Sequence, residues 1–330
     1  MEQIPVGVVG VGHLGSLHAK MFAEIPAASF VGIYDIDQQR ARAIAREFGV
    51  KAFDSLAELL RLVRAVSVAT PTSTHLAVGS EVIEAGVHML IEKPITKTIT
   101  EAQTLIDLAM QRGVRIQVGH VERFNPALLA LEKYRLQPMF IESHRLAQFN
   151  PRGTDVAVVL DLMIHDIDII ATLVKSPIAR IDANGVSVVT DSIDIANARI
   201  QFTNGCVANV TASRISQRKM RKMRLFQRDA YISVDFSDGV AEVFRLVDAE
   251  SADISNTMLL GNIESGSQKR KIIYERPEIK EVNALKYELE TFLHAVESNV
   301  EPVVTAQDGK RALEMAHAIL EKIREQGITA

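Results

Sequence analysis

One run of the sequence combines three aspartates and a histidine with side chains typical of a protein core. The run is VLDLMIHDIDII, residues 159–170. A β-strand would place Asp161 and His165 on one face and Asp166 and Asp168 on the other, so that both faces would carry charge. A helix instead gathers Asp161, His165 and Asp168 in a stripe about 60° wide. Such a stripe is typical of a site that handles protons, although a helix cap with a hydrogen-bonded core histidine explains the pattern equally well.

Three glycines have the spacing of a dinucleotide-binding turn. Gly10, Gly12 and Gly15 form the pattern G-x-G-x-x-G, preceded by an apolar strand and followed by an amphipathic helix. In this pattern Gly10 makes the tight turn, Gly12 lets the backbone approach a pyrophosphate, and Gly15 lets the helix pack on the strand. The helix N-terminus supplies N–H groups and partial positive charge to the phosphates. We expect His13 and Leu14, at the start of that helix, to lie beside the cofactor.

An acidic residue follows the second strand at the position that reads the adenosine ribose. The strand FVGIYD ends at Asp35, twenty positions after Gly15. Asp35 is placed to accept hydrogen bonds from the ribose hydroxyls and to repel a 2′-phosphate, which favours NAD over NADP. Asp37 adds to the negative charge, whereas Arg40 leaves room for some acceptance of NADP.

The chain up to residue 120 alternates between strands and helices, which predicts a doubly wound parallel sheet. Ligands bind at the carboxyl ends of the strands in such a sheet. Five residues with polar or turn-forming character fall at these ends: Thr70, Pro71, Glu92, Lys93 and His120. Lys93 lies between an apolar strand and Pro94, so we expect its backbone to be held in place.

The overall composition excludes several classes of protein. With 330 residues, 47% of them hydrophobic and 24% charged, the chain predicts two globular domains. Its net charge of −4 disfavours nucleic acid and anionic membranes as partners. The single Cys206, the absence of a basic leader and the absence of a long apolar run predict a cytoplasmic protein.

One basic segment and several histidines stand outside these patterns. Residues 214–229 contain seven lysines and arginines, which we interpret as a solvated edge strand, with binding of a substrate phosphate as the alternative. His13, His18, His294 and His317 are scattered, so structural or solvent-facing roles are favoured for them. No Cys and His residues have zinc-ligand spacing, and no metal is predicted.

Several motifs together resemble the glucose/fructose oxidoreductase, inositol dehydrogenase and rhizopine-catabolism family, abbreviated Gfo/Idh/MocA. The motifs are GVGHLG, ATPTSTH, EKP at 92–94, DLMIHDID, LKYELETFLHAV and EPVVTAQDGKRALEMAHAI. The resemblance implies an α/β fold with an N-terminal Rossmann domain, residues 1–120. A C-terminal α+β domain with an open, mostly antiparallel sheet, residues 121–330, then binds substrate and forms a homodimer or homotetramer.

The resemblance also implies roles for individual residues. Lys93, Asp161 and His165 line the substrate pocket, and Thr70, Pro71, His75 and Glu92 lie beside the cofactor. The chemistry suits alcohol oxidation, because histidine, with an unperturbed pKa of about 6.5, can accept the hydroxyl proton. Lys93 would stabilise the developing alkoxide, and Asp161 would orient the imidazole or the ammonium.

The resemblance extends to substrate residues, with one departure. QVGHVERFNPAL resembles the start of the family's second domain and places His120 and Arg123 near the substrate. The stretch NPRGTDVAVV replaces the glycine-rich approach of many members, so the route to the substrate is expected to differ. We add Arg145, Arg152 and Asp168 as further substrate candidates, the arginines because a sugar-nucleotide diphosphate needs cations.

Three functions remain open from the sequence. The first is an NAD-dependent dehydrogenase acting on a sugar or UDP-sugar, since FNPRGTDVAVVLDLMIHDIDII resembles members that oxidise the 3-hydroxyl of UDP-N-acetylglucosamine. The second is an inositol or free-sugar dehydrogenase, or another carbonyl reductase of the family. The third is a non-catalytic sensor of the NAD redox state, which the proton-handling residues disfavour.

Overall fold

The computed structural model describes residues 3–150, 156–248, 257–265 and 268–327. The chain forms two compact units, and neither of them is continuous in sequence. The first comprises Met1–Phe124 and Val282–Glu314, and the second comprises Asn125–Glu281 and Met315–Ala330. The sequence predicts that residues 1–120 bind the cofactor and residues 121–330 bind the substrate. This stays a prediction, because the two units describe how the chain packs and not what each part binds.

The first unit contains the predicted parallel sheet. Its elements are β1 Ile4–Val9, α1 His13–Glu24, β2 Ala28–Tyr34, α2 Gln38–Phe48, β3 Lys51–Ala52, α3 Leu56–Leu60, β4 Ala65–Val68, α4 His75–Glu84, β5 His88–Glu92, α5 Ile99–Arg112 and β6 Ile116–Gly119. The strand order is β3-β2-β1-β4-β5-β6, and every pair is parallel. This is the strand order of a dinucleotide-binding Rossmann fold, so the predicted fold of this half is confirmed.

Local capping explains where several of these helices begin and end. Asp37 accepts hydrogen bonds from two backbone N–H groups of the first turn of α2, and Gly49 ends that helix in the left-handed conformation. Thr98 and Glu101 form a capping box at the start of α5. These short-range contacts fix the helix boundaries, so the strand ends that precede the helices are fixed too.

A helix from the C-terminal part of the chain completes the core of the first unit. The last two helices are α8 Ala284–Ser298 and α9 Ala306–Arg324. Leu289, Phe292, Leu293 and Val296 of α8 are buried in the same hydrophobic cluster as the residues of β1 and α1. The Rossmann sheet is therefore covered partly by sequence that lies about 160 residues beyond it.

The second unit is built on a nine-stranded sheet. Its remaining elements are α6 Pro126–Leu129, β7 Phe140–Leu146, α7 Ile164–Val174, β8 Ile178–Val186, β9 Ile195–Phe202, β10 Val207–Ser213, β11 Met220–Phe226, β12 Ala230–Asp235, β13 Val240–Asp248, β14 Met258–Ser265 and β15 Gln268–Glu275. The strand order is β14-β15-β13-β12-β11-β7-β10-β9-β8. Only β7 and β10 run parallel, so the prediction of a mostly antiparallel sheet is confirmed.

The basic segment forms an interior strand, so its interpretation as an edge strand is wrong. Strand β11 pairs with β7 on one side and with β12 on the other. Lys222 lies 3.0 Å from Asp235 of β12, and Arg224 lies 3.4 Å from Glu142 of β7. Cross-strand ion pairs of this kind let basic residues occupy a central strand, a pairing that the composition of one segment does not reveal.

One face of this sheet carries a row of aromatic residues. Phe140, Phe226, Tyr231, Phe244 and Tyr274 are cross-strand partners on five consecutive strands. Neighbouring ring centroids along the row lie 5.0–5.9 Å apart. All five side chains are at least partly exposed. An apolar row of this length on an exposed sheet face is typical of a contact surface.

A buried ion pair attaches helix α7 to the opposite face. The Nε atom of Arg145 donates to Oδ2 of Asp166 over 2.6 Å, and the Ser143 hydroxyl donates to Oδ1 of Asp166 over 2.8 Å. The Arg145 and Asp166 side chains are 4% and 1% exposed. Asp166 is therefore structural, as its position on the helical wheel indicates. The pair holds the helix that carries Asp161 and His165 against β7.

Among the described residues, no helix is both long enough and apolar enough to cross a lipid bilayer.

Replacement of Asp166 by asparagine is expected to lower the free energy of unfolding by about 3–5 kcal/mol. The substitution leaves the buried Arg145 guanidinium without its counter-charge. The matched control is Asp182→Asn, which removes an exposed pair with Arg180 of 2.8 Å and should leave the free energy of unfolding nearly unchanged, because water screens exposed charges. Urea unfolding of both variants measures the difference. Equal losses of stability would contradict the role assigned to Asp166.

Candidate active site

The glycine turn after β1 has the geometry that its sequence predicts. Gly10 has a φ of 82°, in the left-handed region that favours glycine. A Cβ atom at Gly15 would lie 1.8 Å from the carbonyl oxygen of Gly10. Helix α1 therefore packs directly on the turn, and only glycine fits at residue 15.

Gly12 differs from its two neighbours because it faces open space. It is the N-cap residue of α1 and no side chain caps the helix there. A Cβ atom at Gly12 would meet no heavy atom within 4 Å. His13 is exposed and Leu14 is 46% exposed, so both border this space. A helix N-terminus beside an open, glycine-lined space fits the pyrophosphate of a dinucleotide.

Asp35 is buried and holds a dense set of hydrogen bonds. Its Oδ2 accepts from the backbone of Val11 over 2.7 Å, and its Oδ1 accepts from the backbone of Asp37 over 2.8 Å. The guanidinium of Arg40 donates to both oxygens, over 3.2 and 2.8 Å. Burial alone would raise the pKa of Asp35, but the hydrogen bonds from Arg40, Val11 and Asp37 hold it below its ordinary value.

These contacts have a consequence for cofactor binding. A carboxylate offers about four acceptor sites, and Val11, Asp37 and Arg40 together supply four donors to Asp35. If Asp35 binds ribose hydroxyls, as the sequence predicts, they would replace part of the Arg40 contact. The Arg40 side chain is 44% exposed, so it has the freedom to move aside.

His75 joins two of the strand ends that the sequence singles out. Its Nε2 lies 3.0 Å from the carbonyl oxygen of Thr70, and its Nδ1 lies 3.0 Å from that of Pro94. His75 is 1% exposed. Burial lowers the pKa of His75 below its ordinary value, although the carbonyl contacts oppose this shift. We interpret His75 as a structural residue that holds these two turns together through its carbonyl contacts. Pro71, next to Thr70, is exposed.

A buried chain of polar side chains lies beneath Lys93. The Oγ of Ser67 lies 2.6 Å from Nδ1 of His18, and Nε2 of His18 lies 3.0 Å from Oε1 of Glu92. Oε2 of Glu92 accepts from the backbone N–H of Lys93 over 3.2 Å. Burial alone would raise the pKa of Glu92, but the hydrogen bond from His18 and the charges of His18 and Lys93 hold it below its ordinary value.

The sequence favours a structural or solvent-facing role for His18 and assigns no role to Ser67; the structure places His18 in the buried position. His18 lies on the buried face of α1 with Gly15, Ala19 and Phe22. Ser67 lies in the otherwise apolar strand AVSV. One polar residue on each of two buried surfaces is the signal that the sequence contained, because buried polar groups are normally paired.

His120 and Arg123 follow the last strand of the parallel sheet. His120 is 1% exposed, and its backbone N–H donates to the carbonyl oxygen of Val118 over 2.7 Å. The guanidinium of Arg123 lies 3.9 Å from Asp308, and its side chain is 10% exposed. Both residues belong to the first unit, close to the point where the chain enters the second unit.

Asp161 and His165 lie on the helix that the sequence predicts. Residues Val159–Met163 form one turn of wide π-type helix, which continues into α7. Both side chains are partly exposed, and that of Asp161 is 37% exposed. Asp168 is only 1% exposed, so the three residues do not form one uniform stripe. π-type turns occur frequently at functional sites, and this one carries Asp161.

A basic residue accompanies Asp161. Nη2 of Arg214 lies 4.0 Å from Oδ2 of Asp161, and the Arg214 side chain is 6% exposed. The same guanidinium nitrogen donates to the carbonyl oxygen of Val156. Arg214 is the first residue of the basic segment, and the structure gives it a distinct place beside a predicted catalytic residue.

The structure distinguishes the remaining substrate candidates. Arg145 is bonded to Asp166 and 3% exposed, which favours a structural role over phosphate binding. Arg152 lies outside the described residues. Metal ligation has no support within the described part of the chain, where no group of three His, Cys, Asp or Glu side chains is arranged to hold an ion.

Together, the Rossmann sheet and its glycine turn define a dinucleotide-binding oxidoreductase. Residues 4–120 match the family described as "Oxidoreductase family, NAD-binding Rossmann fold", and residues 136–241 match the "GFO/IDH/MocA C-terminal domain". The chain belongs to the Gfo/Idh/MocA family of oxidoreductases, and its cofactor is NAD.

Several relatives are similar over most of the chain. UDP-N-acetylglucosamine 3-dehydrogenase of Acidithiobacillus ferrooxidans is 42% identical over 245 residues, which cover 74% of this chain and 78% of the relative. The solved structure of that enzyme has a TM-score of 0.87 at 35% identity, and covers 98% of this chain and 99% of its own. The scyllo-inositol 2-dehydrogenase (NAD(+)) of Bacillus subtilis is 30% identical over 235 residues, which cover 65% of this chain and 68% of that enzyme.

Two alanine substitutions in the glycine turn are expected to affect different properties, NAD affinity in one case and thermal stability in the other. Gly12→Ala should lower the melting temperature only slightly, because its Cβ meets no protein atom and alanine is a somewhat poorer N-cap than glycine. It should weaken NAD binding by about tenfold or more by filling the phosphate space. Gly15→Ala should lower the melting temperature, because its Cβ meets a backbone oxygen. Thermal unfolding and NAD titration of both variants test this pair. Unchanged NAD affinity in a folded Gly12→Ala variant would contradict the assignment.

Proposed function

We propose that this protein is an NAD-dependent dehydrogenase that oxidises a secondary hydroxyl of a sugar or sugar nucleotide. The observation that carries the proposal is the placement of Gly12, Asp35 and Lys93 at the carboxyl ends of β1, β2 and β5. These strands belong to one parallel sheet in one compact unit. That edge is where such sheets bind their ligands. A cofactor site and a candidate catalytic lysine therefore share one edge.

Bound NAD accepts the hydride that leaves the oxidised carbon. In our proposal Lys93 donates a hydrogen bond to the substrate hydroxyl and stabilises the negative charge that develops on its oxygen. His165 accepts the hydroxyl proton, and Asp161 orients the imidazole. Nη2 of Arg214 lies 4.0 Å from Oδ2 of Asp161, so this cation borders the carboxylate that orients the imidazole. Asp168 is assigned to the packing behind this group because it is buried.

The other predicted cofactor residues have supporting positions in this proposal. Gly10 and Gly15 shape the phosphate turn, and His13 and Leu14 border it. Thr70 and Pro71 line the edge beside the nicotinamide. Glu92 and His75 act from beneath, since both are buried and bonded to the turns that they support.

We propose UDP-N-acetylglucosamine as the substrate, with oxidation at its 3-hydroxyl. The support is the similarity to the Acidithiobacillus ferrooxidans enzyme that bears this activity in its name. The diphosphate would be bound by Arg123, Arg152 and the basic segment, with His120 beside the sugar. Arg145 is left out because its guanidinium is committed to Asp166. The similarity to inositol dehydrogenases makes a free polyol the alternative substrate.

The proposal also covers the assembly and location of the protein. We propose that residues 1–120 bind NAD, that residues 121–330 bind substrate, and that the chain forms a homodimer or homotetramer in the cytoplasm. The aromatic row on the nine-stranded sheet supports an oligomer, because it is an apolar surface partly exposed in a single chain. Neither nucleic acid nor a membrane is proposed as a partner.

The test is NADH formation with UDP-N-acetylglucosamine, free N-acetylglucosamine and myo-inositol as separate substrates. We expect kcat/KM for the UDP-sugar to exceed that for the free sugar by about a hundredfold, since each charge-assisted phosphate contact is worth about 1.5–3 kcal/mol. Lys93→Ala should lower kcat by about a hundredfold or more. The matched control Lys97→Ala, at an exposed position four residues later, should leave it unchanged.

The other outcomes each identify a different function. Turnover of myo-inositol without turnover of any UDP-sugar would replace the proposed substrate by a polyol. Binding of NAD without turnover of any of the three substrates would favour the redox sensor instead.

A further inference from the structure

Ser67, His18 and Glu92 form a hydrogen-bonded network of buried polar side chains. Ser67 and His18 are 0% exposed and Glu92 is 8% exposed. The three residues come from three different elements of the first unit: β4, α1 and the end of β5. Their contacts of 2.6 and 3.0 Å are good hydrogen bonds. A buried polar network that links separate elements fixes their relative positions.

The direction of these hydrogen bonds follows from the charge of Glu92. Its pKa lies below its ordinary value, so the carboxylate is ionised at neutral pH and only accepts hydrogen bonds. Nε2 of His18 therefore carries a hydrogen and donates to Oε1. Nδ1 of His18 lies 2.6 Å from Oγ of Ser67, a hydroxyl that can either donate or accept at this contact.

The surroundings of Glu92 are shaped to receive the carboxylate. Gly119 of β6 is the cross-strand partner of Glu92. A Cβ atom at Gly119 would lie 3.0 Å from Cδ of Glu92 and 3.1 Å from both carboxylate oxygens. A Cβ atom there would require the Glu92 carboxylate to shift by a few tenths of an ångström. The second oxygen, Oε2, accepts from the backbone of Lys93.

His18 also connects two parts of the proposed active site. It lies six residues after Gly12 on α1, about 9 Å along the helix at 1.5 Å per residue. At the other end of this hydrogen-bonded network, Glu92 accepts a hydrogen bond from the backbone N–H of Lys93, the candidate catalytic residue. The hydrogen-bonded chain thus runs from the cofactor helix to the turn of Lys93.

We propose that His18 is a positioning residue for the catalytic reaction, which acts through Glu92 to hold the Lys93 turn in register with the cofactor helix. The role of Lys93 rests on the proposed function above. His18 itself touches neither substrate nor cofactor in this proposal. Its loss should therefore reduce the efficiency of the Lys93-dependent step without removing the cofactor site.

The first arm of the test measures the position of Lys93 without using activity. Hydrogen–deuterium exchange of the peptide that contains Lys93 is compared between the wild type and His18→Leu. We expect exchange at the Lys93 amide to be faster by about tenfold or more, because its acceptor is no longer anchored. The control His88→Leu removes a histidine from the opposite end of β5, where Nδ1 accepts from the backbone of Arg115 over 3.0 Å. It should leave exchange at Lys93 unchanged.

The second arm is a double-mutant cycle with Lys93→Ala, followed with NAD and UDP-N-acetylglucosamine. In the wild-type background His18→Leu should lower kcat by about tenfold, equivalent to about 1.4 kcal/mol. In the Lys93→Ala background the same change should alter kcat by less than about twofold, since the two residues act together. The affinity for NAD should change little. His18→Gln keeps a donor for Glu92 and should restore most of the activity.

Gly119→Ala provides an independent variant that leaves His18 in place. It displaces the Glu92 carboxylate by contact, so it should reproduce both the faster exchange and the lower kcat. Unchanged exchange at Lys93 in both His18→Leu and Gly119→Ala would overturn the proposal. Equal effects of His18→Leu with and without Lys93 would overturn it as well.

The two proposals fail in different ways. If Lys93→Ala leaves kcat unchanged, the proposed function of Lys93 is wrong, and the exchange measurement still decides whether His18 positions its turn. If Lys93→Ala lowers kcat but His18→Leu changes neither readout, only the positioning role is wrong.

Discussion

The structure of the first unit depends on one constraint, the requirement that ionised groups buried at the carboxyl edge of a parallel sheet be fully paired. Asp35 and Glu92 are both ionised, both nearly buried, and both follow strands of that sheet. Each accepts hydrogen bonds both from the turn that follows its own strand and from another part of the unit: Val11 and Arg40 for Asp35, and His18 for Glu92. Because an unpaired buried charge is costly, these contacts fix the loops that carry them. The glycine turn and the Lys93 turn are therefore both held at the same edge of the sheet.

The second unit also contains a buried charge that is paired, the Asp166 carboxylate on helix α7. The Arg145 and Asp166 pair holds α7 against the nine-stranded sheet, and this lets Asp161 and His165 remain partly exposed on the same helix. Arg214 then lies beside Asp161, held by a backbone carbonyl. Asp166 is therefore buried and structural, whereas the Asp161 and His165 side chains on the same helix are partly exposed.

Much of the fold was predictable because it follows from local patterns. The glycine spacing, the strand and helix alternation and the caps of α2 and α5 all act within about twenty residues. The packing of α8 on the Rossmann core was not predictable in this way, because Phe292 and Leu293 meet residues distant in sequence. The same reason explains the error about β11. Its lysines and arginines find their partners on neighbouring strands, and one strand read alone shows only an excess of charge.

The candidate site divides along the same line. Gly12, Asp35, Lys93, Asp161 and His165 were singled out by their spacing, and the resemblance to the family adds the catalytic roles of the last three. The contact between His18 and Ser67 was not predicted, because a histidine on an apolar helix face and a serine in an apolar strand show no partner when each is read alone. Arg145 was predicted as a substrate ligand from its charge alone. Its pairing with Asp166 depends on how the helix packs on the sheet, which composition does not contain.

In the proposed reaction, Lys93 and His165 act on one hydroxyl of the substrate. A crystal structure of the complex with NAD and UDP-N-acetylglucosamine tests this proposal. We expect Nζ of Lys93 and an imidazole nitrogen of His165 both to lie within about 3.2 Å of the oxygen at carbon 3 of the sugar. A complex in which either residue is remote from the reacting hydroxyl would contradict it.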